Sequence, residues 1–247
     1  MARWIVSGAP KSLFCKKLTR GRLVLFADAI KDAGAALHCC VEFVDGTNRE
    51  TCRPSIFQRV FYSGHKHYHS IKFQSWCTLD GLITHLYGPV AGSKHDMYMY
   101  HTSNLESVMS EEGFRDFCLF ADQGYRRVGH LMSPFRTSYV SLSGKQVKKT
   151  LEPLQHMFNE MMLQPRLSVE HAFARVTQLF PYFQRHTSLR IHGTTVAAHY
   201  VCAVYFTNMR TCIDGRNQIT DNFGAVSPPS LEQYLSYFVT PSLNGSN

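Results

Sequence analysis

Residues 39–54 read CCVEFVDGTNRETCRP. The largely apolar run Val41–Val44 is stopped by Asp45 and Gly46. Four to eight residues rich in valine and phenylalanine, ended by a turn signal, read as a buried strand. An Asp-Gly pair is a common hairpin turn, but it is also what an acid held at the mouth of a sheet looks like. FCLFAD (117–122) repeats the pattern: a second buried run ends in Asp122 and is followed by Gln-Gly-Tyr. Strand ends are where α/β sheets build ligand sites, so the repetition favours the second meaning.

The rest of the chain supplies a mixed α/β plan. Leu23, Phe26, Ile30 and Leu37 make the apolar face of a helix ahead of the first strand. Residues 60–90 alternate and break at Asp80-Gly81, predicting antiparallel strands around a tight turn. GSKHDMYMYHTSNLESVM then turns helical, and the polar stretch 136–150 reads as an exposed loop. From Leu151 the pattern is helical, with a break predicted near Pro165. Beyond it Val169, Phe173, Val176 and Phe180 form a stripe with Glu170 on its flank. A helix over Val196–Met209 closes the fold, and the Asn-, Pro- and Ser-rich residues 214–247 read as a flexible tail.

Composition narrows the partners. Hydrophobic residues make up 44% of the 247 and charged residues 18%, the balance of a globular chain. No apolar stretch reaches the roughly 18 residues of a membrane helix, and the first residues lack the apolar centre of a signal peptide; a soluble, intracellular protein is expected. The eight cysteines form no CxxC pair, and several lie in apolar runs, as reduced core thiols do. A net charge of +8, dispersed over Lys11, Lys16, Lys17, Arg20, Arg22, Arg126, Arg127, Lys145, Lys148 and Lys149, suits contact along a phosphate backbone.

If the two acid-bearing strands are neighbours, Asp45 and Asp122 face each other as like charges that something must neutralise. Mg²⁺ or Mn²⁺ does so through oxygen ligands. Glu170, on a packed helix, would complete a pair of metal sites about 3.5–4 Å apart. Asp96 reads as a helix N-cap before Met97. His65, His67 and His69 could point to one face of a strand and mimic a zinc site, though three alternate residues close a tetrahedron awkwardly. A basic surface around an acidic metal cluster is the charge layout of a nuclease.

The blocks VDGTNRETCRP, QRVFYSGHKHYHSIKFQSW, GLITHLYGPVAGSKHD, FADQGYR and PRLSVEHAFARV occur in that order between Cys40 and Ile213. Together they resemble the catalytic domain of PIF/Harbinger transposases, DDE-superfamily endonucleases, and the nucleases domesticated from them. The resemblance implies a ribonuclease H-like mixed sheet flanked by helices, with a helical and loop insertion between the second Asp and the Glu. It implies metal-assisted cleavage of DNA, with Asp45, Asp122 and Glu170 as first, second and third acids and Asp96 as a secondary metal ligand. Forty-seven residues separate Asp122 from Glu170, a spacing similar to that of PIF-type members. Lys66, Lys72, His95, Arg126, Arg127 and Arg166 are the candidates for phosphate contact.

On this reading residues 1–38 are an N-terminal helical extension and residues 39–213 the catalytic domain. Members of the group carry a helix-turn-helix module ahead of the core, and the 44 residues before Asp45 are too few for it and a linker. Weak sequence preference is therefore expected, along with reliance on a Myb/SANT-like partner for specific binding and nuclear entry, and an assembly of several copies is open. Two rivals stand beside the transposase: a non-catalytic nuclear DNA- or protein-binding derivative, and a general structure-specific nuclease.

Overall fold

The computed structural model of the protein describes residues 12–14, 18–142, 145–184, 189–191, 195–224 and 226–238. Lys11, Lys16, Lys17 and the tail from residue 239 lie outside them. The central strand β2 (Cys40–Glu50) is buried on both faces as far as Val44, then half-open from Asp45 onward. Its antiparallel partner β4 (Tyr68–Cys77) runs along it from Phe43↔Cys77 to Glu50↔Ser70. On the other side β6 (Cys118–Ala121) runs parallel to it, and the pairing stops at Val44↔Ala121. Asp45 therefore does not end its strand, as the Asp-Gly pair suggested; it marks the point where one neighbour stops and β2 continues with a single partner.

The remaining strands are β1 (Ser12–Phe14), β3 (Tyr62–Ser63), β5 (Ile83–Ala91) and β7 (Leu131–Met132). They complete a mixed sheet of order β1-β5-β4-β2-β6-β7, with β3 on the side of β4. Antiparallel strands on one side of β2 and parallel strands on the other are compatible with the expected ribonuclease H-like fold. β4 and β5 pair across the predicted turn. At that turn Gly81 takes a left-handed φ of +78° and lies against the Asn217 side chain, which donates to the Gly81 carbonyl at 2.8 Å.

Helices cover the sheet. Helix α1 (Arg20–Asp32) is N-capped by Thr19 and buries Leu23, Phe26 and Ile30 completely, in the same core as Val44, Trp76 and Phe120. Arg22 ties it to the β4–β5 turn through an ion pair with the buried Asp80 at 2.6 Å. After the short α2 (Gln58–Phe61) come α3 (Asp96–Thr102) and α4 (Leu105–Met109), which hold Met99, Tyr100, Leu105 and Met109 in the core. The described cysteines are free thiols, with Cys40, Cys77, Cys118 and Cys212 buried.

Three local expectations differ from the structure. The break near Pro165 is absent: α5 runs unbroken over Pro153–Leu179. Pro165 removes one helix hydrogen bond, a penalty of about 3 kcal/mol in a helix interior. Here it is itself buried on the face that carries Met162, Val169, Phe173 and Val176, whose packing outweighs that cost. Residues 136–150 hold a hairpin, β8 (Ser138–Leu142) with β9 (Lys145–Lys149), so the segment between Asp122 and Glu170 comprises β7, this hairpin and most of α5. Beyond α6 (Val196–Asp214), residues read as a flexible tail form α7 (Gln218–Phe223) and α8 (Leu231–Ser236). Asn217 and Ser230 close capping boxes at their starts, and Ile219 and Tyr234 are buried, enough to fix two short helices in a polar stretch.

Because α1 shares the core of the sheet, Phe26→Ala should cost about 3–5 kcal/mol, the usual penalty for emptying a buried phenylalanine site. Urea unfolding of the full chain checks this, and a loss below about 1 kcal/mol would place the helix outside the cooperative unit.

Candidate active site

The β2–β6 register builds the site. Val44 opposite Ala121 puts the next residue of each strand, Asp45 and Asp122, side by side where the parallel ladder ends. Each carboxylate has one oxygen turned back on its own backbone: Asp45 Oδ1 accepts from Gly46 N at 2.7 Å and Asp122 Oδ1 from Gly124 N at 2.8 Å. Burial, then the charge of Asp122, pushes the Asp45 carboxyl up to about 7. Burial and the nearby Asp96 raise that of Asp122. Both shifts are the mark of acids crowded together in a poorly solvated place.

Asp96 joins them. The N-cap role belongs to His95, whose Nδ1 accepts from Met97 N at 3.3 Å, and Asp96 is the first residue of α3. Its carboxylate passes between two glycines. A Cβ on Gly46 would lie 3.0 Å from Asp96 Oδ1, and one on Gly124 would lie 2.7 Å from Asp96 Oδ2 and 2.9 Å from Asp122 Oδ1. The glycines that closely follow Asp45 and Asp122 thus make the room that a third acid fills. Lys72 Nζ donates to Asp96 Oδ1 at 2.8 Å and to the Lys94 carbonyl at 2.9 Å, with its side chain almost wholly buried. Beneath the acids Tyr125 donates to Gln74 Oε1 at 3.2 Å and anchors the loop after Asp122.

Glu170 stands apart. It is paired with Arg166 one turn earlier on α5, at 3.0 Å, with its side chain 47% exposed. It does not line the cavity of about 800 Å³ onto which Asp45, Asp96 and Asp122 open. The charge of Arg166 reaches Asp45 and Asp122, holding both carboxyls lower than burial alone would leave them. Among the described residues no group of three or more His, Cys, Asp or Glu side chains is placed to hold a metal ion jointly. Asp96 and Glu170 each spend an oxygen on a protein cation. The donor chemistry nevertheless fits a hard divalent ion: oxygen ligands only, from acids whose mutual repulsion such an ion would relieve.

The cationic candidates divide. Lys66 and His95 line the cavity, and so do Lys94 and Arg136, which the sequence reading did not single out. Arg136 also donates to the Tyr125 carbonyl at 3.1 Å. Lys72 lines the cavity as well, with its ammonium held by Asp96 and the Lys94 carbonyl. Arg127 stacks on Phe135, 3.5 Å from the ring centroid, and donates to the Ser133 carbonyl at 2.7 Å, while Arg126 is exposed; neither lines the cavity. His65 and His67 lie in the turn before β4, with His67 at φ +60°, and only His69 is on the strand, so the three do not share a strand face.

Comparison of the sequence with known families supplies a match: the DDE superfamily endonuclease family covers residues 44–208. The chain belongs to that family. The match begins one residue before Asp45 and contains Asp96, Asp122 and Glu170. It supports an enzyme of nuclease or transposase type, for which DNA is the implied substrate. No curated protein and no solved structure matches the chain. Among the described residues no helix is long and apolar enough to cross a membrane.

Two outcomes test this geometry. Between about pH 4 and pH 7 the folded protein keeps the Asp45 proton that the unfolded chain has lost. The folded state binds more protons in that window, so the contribution of Asp45 to stability falls as pH rises through it. Asp45→Asn lacks the effect. In chelator, urea denaturation should show this variant gaining on the wild type by roughly 2–3 kcal/mol from pH 5 to pH 8; a pH-independent difference would contradict the crowding. Gly124→Ala should displace the Asp96 and Asp122 carboxylates and cut nicking of supercoiled DNA at least about tenfold, while the far-ultraviolet dichroism stays unchanged.

Proposed function

We propose that this chain is a PIF/Harbinger-type DDE endonuclease that cleaves DNA phosphodiester bonds with Mg²⁺ or Mn²⁺. The observation that carries the reading is the pairing of Asp45 and Asp122 at the open end of the β2–β6 ladder, with Asp96 wedged beside them. Asp45 and Asp122, with Asp96, would hold the cation. Such an ion supplies Lewis-acid stabilisation of charge at the phosphate and lowers the pKa of a water. Lys66, Lys94 and Arg136, which line the same cavity, hold the phosphodiester beside those acids, since cations in a groove supply affinity without reading sequence.

Glu170 is the third acid of the reading. In the structure it lies on α5, the helix that packs on β2, and it is held by Arg166. A phosphate that took over the Arg166 guanidinium would free both Glu170 oxygens for a cation. The same ion pair favours a second reading, a derivative that binds DNA and leaves Glu170 permanently with Arg166. In either case the nucleus is the place of action, with a Myb/SANT-like partner supplying specific binding and several copies assembling on DNA. Residues 39–213 would be the catalytic domain and residues 1–38 its extension.

A nicking assay on supercoiled DNA separates the readings. Cleavage is expected with Mg²⁺ or Mn²⁺ and none with chelator. Asp45→Asn and Asp122→Asn should each lose at least about a hundredfold, and Glu170→Gln comparably. Full activity in all three variants would sink the assignment; binding without nicking in the wild type would favour the derivative. Duplex affinity should fall with salt at a log–log slope of about −0.9 per phosphate contact. Lys66→Ala and Arg136→Ala should each make that slope shallower by about one contact, and an unchanged slope would remove them from the groove.

A further inference from the structure

Lys72 is one of the sequence's candidates for a phosphate contact, and it lines the cavity, but its ammonium is already held by the protein's own acceptors. It lies on β4 opposite Asn48, three residues along the strand from Ser75, the partner of Asp45, toward the open end of the ladder. Its side chain is 10% exposed, and both of its recorded acceptors belong to the loop that leads into α3: Asp96 Oδ1 and the Lys94 carbonyl. A lysine is seldom buried unless it is paired. This one is paired with the only member of the acid trio that comes from outside the β2–β6 pair.

The position of Asp96 needs such a partner. Its carboxylate is pressed between Gly46 and Gly124, against Asp122, where two carboxylates are its near neighbours and Arg166 offsets their charge only in part. A third carboxylate entering that space would be driven out to solvent by repulsion unless a cation held it. We propose that Lys72 is a positioning residue, the resident counter-charge of the acidic cluster, which clamps Asp96 beside Asp122 and which an incoming divalent cation partly replaces. With Lys72 in place the three carboxylates and one ammonium carry a net charge of −2 when all are ionised, the charge that a single divalent ion balances. The inference rests on the reading of these acids as the cation-holding side of the site.

The test uses the full chain and Mn²⁺ as the probe, with binding followed by calorimetry or electron paramagnetic resonance and stability by urea unfolding in chelator. The variants are Lys72→Gln, which keeps a donor and removes the charge, Lys72→Arg, which keeps the charge, Asp96→Asn, and the Lys72→Gln/Asp96→Asn pair. Lys72→Gln should be less stable than the wild type in chelator, and Asp96→Asn in the same chain should restore much of the loss. It should bind Mn²⁺ at least roughly fivefold more tightly, because the ion no longer competes with a resident cation for Asp96. Lys72→Arg should bind Mn²⁺ like the wild type. In the Asp96→Asn background the gain from Lys72→Gln should shrink markedly.

Unchanged or weaker Mn²⁺ binding by Lys72→Gln would overturn the proposal, as would an equal gain in the Asp96→Asn background, which would make Lys72 a distant charge and not a clamp on Asp96. A wild-type protein that takes up no Mn²⁺ would overturn the cation reading of the cluster. The clamp is then judged in chelator alone: stability lost in Lys72→Gln and recovered with Asp96→Asn supports it, and additive losses overturn it.

Discussion

Like charges brought together by a backbone register are the constraint that the rest of this site answers. Hydrogen bonding between β2 and β6 leaves no freedom over where Asp45 and Asp122 go, because Val44 and Ala121 are already paired. Every other feature moderates the repulsion that follows. Backbone N–H groups of Gly46 and Gly124 each take one carboxylate oxygen, and Lys72 and Arg166 stand as cations on either side. The apolar layers beneath, with Phe43, Val44, Phe120 and Ala121 fully buried, are what make the register expensive to relax. Stability is thus spent in the core to hold an unfavourable arrangement at its edge, as functional sites commonly require.

Much of this was legible in the residues. Buried strands announce themselves by runs of Val, Phe and Leu, and both acid-bearing strands did so. The helix stripe of Val169, Phe173 and Val176 was equally plain, since the period of an amphipathic helix does not depend on what it packs against. The Asp-Gly signal was ambiguous for a physical reason. Glycine serves a turn through its φ and a crowded site through its missing Cβ, and only the neighbouring carboxylate tells which.

What stayed hidden was decided by partners distant in sequence. Nothing local marks Lys72 as buried, for its neighbours Ile71 and Phe73 are equally consistent with a solvent-facing lysine on a strand, and its acceptor lies 24 residues away. Pro165 looks like a stop because its cost is local and its compensation, the buried face of α5, is not. The segments around α7 and α8 are polar enough to read as disorder, yet Asn217 reaches back across 136 positions to the Gly81 carbonyl. Glu170 shows the converse. Its place in the chain was legible from the family pattern, while its ion pair with Arg166 is a matter of side-chain geometry that no spacing conveys.

The two glycines beside the acids carry an implication for how copies of such a gene age. Most random changes that silence an enzyme also damage its folding, and the product is cleared from the cell. Gly46 and Gly124 lie at the edge of the sheet, where an added methyl group meets carboxylate oxygens and, at Gly46, the tip of Met99. At Gly124 the nearest atoms such a methyl group would meet are all oxygens of Asp96 and Asp122, so one point mutation there displaces the acids while the buried layers keep their packing. The arrangement of the acids could thus be lost in a single inherited step, with no unfolded intermediate for selection to remove.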